Sequence, residues 1–207
     1  MTPPAFDTTH LIALAAALGW ASGLRLYAVV FLTGLAGALG WVSLPEGLTL
    51  LQQPPMLYAS GALLAVEFFA DKVPWVDSLW DTVHTVIRIP AGAALAYAVF
   101  GGDQATWAAA AALLGGTLAA TSHAAKTTTR AAANTSPEPF SNWGLSFLED
   151  GLVVATVWLA TQHPLAFGVA LVLALAVSAL LLVILFKFLR AVLRRVSSLF
   201  SASAKVA

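Results

Sequence analysis

The sequence has no cysteine and very little charge. Without thiols there is no disulfide framework, no thiol nucleophile and no thiolate metal site. Only 10% of the 207 residues are charged, against about 25% in an average soluble domain. Ten Lys/Arg balance ten Asp/Glu, so the formal net charge is zero. A nucleic-acid binder, which needs a basic face, is excluded. The leading MTPPAFDTTH contains no basic residue and does not read as a cleaved signal peptide. Phosphate loops, HExxH helices and nucleophile elbows are also absent. The chain is therefore expected not to be an enzyme and to carry no cofactor beyond a bound cation.

Apolar residues are abundant. They make up 59% of the chain, and the mean hydropathy is +0.85. The composition predicts one all-α domain over residues 1–207, a polytopic membrane bundle. Hydropathy places six spans at 11–42, 56–72, 75–101, 105–131, 144–162 and 164–189. A helix needs about 20 residues to cross the hydrocarbon core. The first, third and fourth spans exceed that and should be tilted, broken or extended into water.

The segments after spans 1 and 3 hold Glu46 and Asp103 and no base, whereas Lys and Arg gather around the 2–3 and 4–5 connections and in the tail 187–207. The positive-inside rule then predicts both termini in the cytoplasm. Trp41, Trp107 and Trp158 fall at outer ends in this arrangement, and Trp75 and Trp143 at inner ends. Ser43-Leu-Pro-Glu46 and Thr135-Ser-Pro-Glu138 suggest a duplication over 11–102 and 104–189. A three-span unit repeated once has inverted topology, a plan shared by many secondary transporters.

Ionisable groups at membrane depth are costly and usually face a bundle interior or a water cavity. Glu67 and Asp71 stand one helical turn apart. Asp77, Asp81, His84 and Arg88 form a single stripe in span 3. His123, Lys126 and Arg130 form a complementary one in span 4. Asn134 opens a segment rich in proline and capping residues, and Glu149-Asp150 enters span 5. Gly19, Ser22 and Gly23 interrupt the first apolar run just before Arg25, as a discontinuous helix with a central cation would.

Two readings of these groups stand side by side. One is an ion-pair network that holds the bundle together. The other is a ligand site built from Arg25, Glu67, Asp71, Asp77, Asp81, His84, Arg88, Lys126, Arg130, Asn134, Glu149 and Asp150. In it Glu67, Asp71, Glu149 and Asp150 are the expected ligands of a hard cation. Expected partners are membrane lipids and a small ion or solute. Gly34, Ala38, Gly61 and Ala65 supply small-residue faces for close helix packing or a homo-oligomer.

Several strings carry a resemblance. They are Val66-Glu67-Phe-Phe-Ala-Asp71-Lys72-Val-Pro74-Trp-Val-Asp77-Ser-Leu-Trp-Asp81, Ser22-Gly23-Leu-Arg25-Leu-Tyr27, Asn134-Thr-Ser-Pro-Glu-Pro and Ser146-Phe-Leu-Glu149-Asp150. Together they resemble a bacterial multi-pass membrane family known as a domain of unknown function (DUF4126), over nearly the whole chain. The resemblance implies a shared fold and no particular activity. The residues favour a secondary transporter or exchanger with an intramembrane acidic site for a proton or cation. The alternatives are a lipid or lipid-phosphate handling protein and a non-transporting assembly or regulatory protein.

Overall fold

The computed structural model describes residues 6–134 and 140–203. Among them are six α-helices, two short 3-10 helices and no strand. The α-helices are α1 (Thr8–Ala38), α2 (Pro54–Ala70), α3 (Pro74–Phe100), α4 (Ala105–Ala133), α5 (Phe140–Gln162) and α6 (Pro164–Ser203). The 3-10 helices, Glu46–Gln52 and Gly102–Gln104, lie in the α1–α2 and α3–α4 connections. The all-α expectation holds. The second copy of the proposed repeat motif, from Thr135 to Glu138, lies outside the described residues, as does Lys205.

Helix starts follow local chemistry. Prolines open α2, α3 and α6, where a missing N–H costs nothing. Asp7 caps α1 by accepting from the His10 backbone N–H at 2.9 Å. That hydrogen bond, with the His10 ring, holds the Asp7 carboxyl below the usual carboxylate range.

Thr8–Ala38, Trp75–Phe100, Phe140–Gln162 and Pro164–Lys187 are long and apolar enough to cross a membrane. The chain is a membrane protein by this measure. Helix α2 is apolar but shorter. Helix α4, diluted by threonine and its own bases, falls outside the set.

Helix α1 departs most from expectation. Arg25 has φ −146° and ψ 90°, which is not helical and divides α1 into two arms. Along the first arm, Ile12 and Ala15 meet Phe100, Trp107 and Ala111. Deeper, Gly19 meets Gly115, and Gly23 meets Ala119 and Ser122. This arm descends parallel to α4.

Along the second arm, Tyr27 lies against His84. Gly61 then packs on Phe31, and Gly34 on Leu51 and Leu57. Leu32 and Ala36 share a groove with Val154, Val157 and Trp158. This arm runs back up, antiparallel to α2 and parallel to α5. Both open ends of α1 therefore lie at the end of the bundle marked by Trp41, Trp107 and Trp158. Only the apex at Arg25 reaches towards the other, charged end.

The expectation that residues 11–42 cross the bundle once is thereby corrected, and with it the expectation that both termini share one side. The physical cause is the break at Arg25, whose charge needs partners found only at the charged end. Burial agrees with this course. In its most apolar stretch α1 is 83% buried, whereas the equivalent stretch of α6 is 6% buried. The hairpin is the centre of the bundle, and α6 is its outer wall.

Where α1, α3 and α4 cross, the backbones touch. A Cβ on Gly115 would overlap Ala96 and come within 2.7 Å of the Gly92 carbonyl oxygen. A Cβ on Gly19 would overlap Gly115 itself. Glycine at these places is a packing requirement, the small-residue contact typical of membrane bundles.

Candidate functional site

Every polar stripe expected from the sequence turns inward at the charged end. Arg25, Glu67, Asp71, Asp77, Asp81, His84, Arg88, Lys126, Arg130 and Glu149 are all buried. Asp150 and Lys72 stand at the margin, partly buried. The network draws on α1, α2, α3, α4 and α5, so no single helix could have revealed it.

Three arginines act as clamps. Arg25, at the α1 apex, reaches Asp71 Oδ2 at 2.8 Å and Asp150 Oδ1 at 3.0 Å. It also donates to Ser146 Oγ at 2.7 Å. Arg88 donates to Glu67 Oε1 and Asp81 Oδ1, each at 2.6 Å. Arg130 forks onto Glu149 at 3.0 and 2.9 Å and donates to the Asp71 carbonyl oxygen at 2.8 Å. The Arg88 and Arg130 contacts are charge-assisted hydrogen bonds, the strong kind, whereas Arg25 faces Asp71 and Asp150 as ion pairs, its Nε and Nη1 having no hydrogen-bond partner among the described residues.

Lys126 is held differently. Its ammonium lies 3.3 Å from Asp71 Oδ2, 3.3 Å from Asp81 Oδ1 and 3.5 Å from Glu149 Oε2. It also donates to the Leu24 carbonyl oxygen at 3.2 Å, one of the groups freed where the first α1 arm ends. A broken helix is tolerated at membrane depth only where protein satisfies such groups.

Two histidines have fixed tautomers. His84 Nδ1 lies 2.8 Å from the Trp80 carbonyl oxygen, which only accepts, so Nδ1 carries the proton. In the neutral ring Nε2 then accepts from the Tyr27 hydroxyl at 3.0 Å. His123 Nδ1 faces the Arg88 guanidinium at 3.3 Å, which only donates. Its Nε2–H therefore donates to Thr85 Oγ1 at 2.7 Å, which passes a hydrogen bond to the Asp81 carbonyl oxygen at 2.9 Å. Asn134 is a strut. It donates to Ser78 Oγ at 3.1 Å and accepts from Asn142 at 2.8 Å, joining α3 to the start of α5.

Asp77 stands apart. It is fully buried, and neither of its oxygens has a hydrogen-bond partner among the described residues. The nearest cation, Arg130 Nη1, is 3.7 Å away. Asp77 and Asp81 line a cleft of about 510 Å³ between α3 and α4, with Thr82, Thr85, His123 and Thr127.

Oxygens of Asp71, Asp77 and Asp81 all lie within 4.8 Å of one another. Among the described residues this is the one group of three side chains gathered closely enough to hold a metal ion. Of the four acids expected as cation ligands, only Asp71 belongs to it. Glu67, Glu149 and Asp150 each face an arginine, as Asp71 itself does. Sequence reasoning did not single out Ser146, Asn142 or Thr85 as parts of the site. Ser146 lies one turn from Glu149 and Asp150, so helical spacing could have found it.

The family model described as a domain of unknown function, DUF4126, matches residues 12–184. The chain belongs to this family. No curated protein and no solved structure matches it.

Proposed function

We propose that this chain is a secondary transporter or exchanger of the bacterial inner membrane, with an intramembrane carboxylate site for a hard cation or proton. The observation that carries the reading is Asp77. A carboxylate buried without a hydrogen bond costs several kcal/mol and is kept only where a proton or cation completes it. Asp71 and Asp81 add oxygens beside it, and the α3–α4 cleft gives a way in. Carboxylates suit hard cations.

The lipid-phosphate alternative gains less support. Its natural donors, Arg25, Lys126 and Arg130, are already engaged by carboxylates. A non-transporting assembly protein would use the same network as a lock, but Asp77, buried beside a cleft with no hydrogen bond among the described residues and only a long ion pair to Arg130, is then poorly used. Reconstitution in liposomes tests the reading, with a panel of Na⁺, Ca²⁺, Mg²⁺, Mn²⁺ and proton gradients. Wild type should carry flux of at least one ion, and Asp77→Asn should lose at least nine-tenths of it. Undiminished flux in Asp77→Asn removes the acidic site, and silence for the whole panel favours the assembly reading.

A further inference from the structure

We infer that the ion taken by this site is a proton and not a metal ion, held on Asp77 and delivered through the α3–α4 cleft. The inference rests on the proposed reading of Asp77 as the carboxylate that is loaded.

The first support is the count of donors. Arg130 is the cation nearest Asp77, at 3.7 Å. A guanidinium has five N–H donors. Arg130 gives two to Glu149, one to Asp71 Oδ2 and one each to the carbonyl oxygens of Asp71 and Asn142. None is left for Asp77. Arg130 therefore lends it charge without a hydrogen. The other bases are turned elsewhere: Arg25 and Lys126 to Asp71, and Arg88 and Lys126 to Asp81. The charged groups around Asp77 are thus Arg130 and Lys126 from α4, Asp81 from α3 and Asp71 from the end of α2. Glu149 of α5 stands behind Arg130.

The second support is where hydrogens are missing. Asp71 turns Oδ2 to the bases, and Asp81 turns Oδ1. Their other oxygens, Asp71 Oδ1 and Asp81 Oδ2, are buried with no hydrogen-bond partner among the described residues, as are both oxygens of Asp77. Oxygens of the three carboxyls lie within 4.8 Å of one another, a gap that a small rotation or one bridging water closes. A proton converts Asp77 from a third acceptor into a donor, beside two oxygens that lack one. Carboxyls that share a site commonly hold one proton between them. A metal ion fits the place less well. It needs several oxygens at once, and Asp71 and Asp81 come with Arg25, Arg88 and Lys126 already against them. Its charge would face those bases and Arg130 in a poorly screened interior. A proton needs one oxygen to hold it and one to receive its hydrogen bond.

The third support is access. The cleft that Asp77 lines measures about 510 Å³, room for several waters at about 30 Å³ each. Hydroxyls of Ser78, Thr82, Thr85 and Thr127 line it, and Ser78 and Thr82 are exposed. His123 also lines it, but its Nδ1 is already taken by the Arg88 guanidinium at 3.3 Å. A hydronium in the cleft can give its proton to Asp77. One O–H bond breaks on the donor, one forms on the carboxylate, and a water molecule is left behind.

Infrared difference spectroscopy of the detergent-purified full chain tests the inference, because a protonated carboxyl has a C=O stretch that a carboxylate lacks. Spectra are compared between about pH 4 and about pH 9, the span of ordinary and buried carboxylates. Wild type minus Asp77→Asn should contain one such band, and Asp77→Glu should restore it at a shifted position. Added Na⁺, Ca²⁺, Mg²⁺ or Mn²⁺ at fixed pH should leave the wild-type band in place, a reading that depends on no variant. Ala124→Leu, which narrows the cleft, should keep the band and slow its shift in D₂O at least tenfold. An unchanged exchange rate in Ala124→Leu overturns the cleft as the route. Loss of the band on adding one of these ions makes a metal the occupant and overturns the proton. No band at any pH, with calorimetric binding of one of the ions that Asp77→Asn abolishes, overturns the proton and leaves the cation site standing. No band and no binding overturns both.

Discussion

Arg88 joins two acids from different helices, and its removal would strand both. Glu67 is fully buried, and its one hydrogen bond among the described residues comes from Arg88. Removing one partner of a buried pair costs about 3–5 kcal/mol, whereas replacing both by apolar groups of similar volume is often close to neutral. Arg88→Met should therefore destabilise the protein by about 3–5 kcal/mol. Adding Glu67→Leu to it should recover at least about 1 kcal/mol of that loss, a typical coupling between residues in contact. Unfolding of the two variants in mixed micelles measures the difference, and a double variant no better than Arg88→Met would show that the pair is not coupled. At this scale the sequence is a partial guide. Spacing on α3 places Asp77, Asp81 and Arg88 on one stripe, and they do face inward together. Spacing does not tell which acid lacks a hydrogen-bonding base, because Glu67 and Arg88, or Arg130 and Glu149, are matched by the packing of separate helices. That is why Asp77, and not Glu67 or Glu149, is left without a hydrogen bond among the described residues.

At the scale of elements, the first apolar run is the instructive case. Hydropathy measures how many residues can sit in lipid and carries no information about direction. A run of one hydropathic character can descend, turn and return, provided the turn is buried and its freed carbonyls find donors. Here Lys126 and Ser122 supply them, at Leu24 and Trp20. Gly19, Ser22, Gly23 and Arg25 mark the interruption, but only tertiary contacts show that it reverses the chain. The descending arm can approach α4 only because Gly19 and Gly115 carry no side chain. Gly115→Val would place a branched side chain against Ala96, Gly92 and Gly19 and force α1, α3 and α4 apart. Overpacking of this kind costs about 1–3 kcal/mol where neighbours can yield. These neighbours include backbone, so the loss should reach or exceed the top of that range. Gly116→Val is the control, since a Cβ there lies 3.3 Å from Ala93 and touches little else. Thermal unfolding should place Gly115→Val well below Gly116→Val, and equal midpoints would contradict the close crossing.

For the whole molecule, the hairpin changes how the chain sits across a membrane. If α1 enters and leaves by the tryptophan end, then α2, α3, α4, α5 and α6 make five crossings. Thr8, Glu46 and Asp103 then share one side, and the Lys72–Val73 turn and the basic end of α6 share the other. The positive-inside rule would put the basic side in the cytoplasm and Thr8 outside. That suits a leading segment with no Lys or Arg. Six crossings would put Thr8 inside. The absence of cysteine makes the native sequence a ready background for labelling. Single cysteines at Thr8, Glu46 and Asp103, all exposed, should react with a membrane-impermeant maleimide added to intact cells. Cysteines at Val73 and Lys187, also exposed, should react only after permeabilisation. Protection of Thr8→Cys in intact cells, with Glu46→Cys labelled, would restore a single crossing by the first helix. Labelling of Thr8→Cys from outside would place Arg25 at the tip of a hairpin that reaches inward from the outer face. An arm of α1 from Thr8 to Leu24 spans about 25 Å at 1.5 Å per residue, against a hydrocarbon core of about 30 Å. The tip therefore stops within the membrane, where Arg25 meets Asp71 and Asp150.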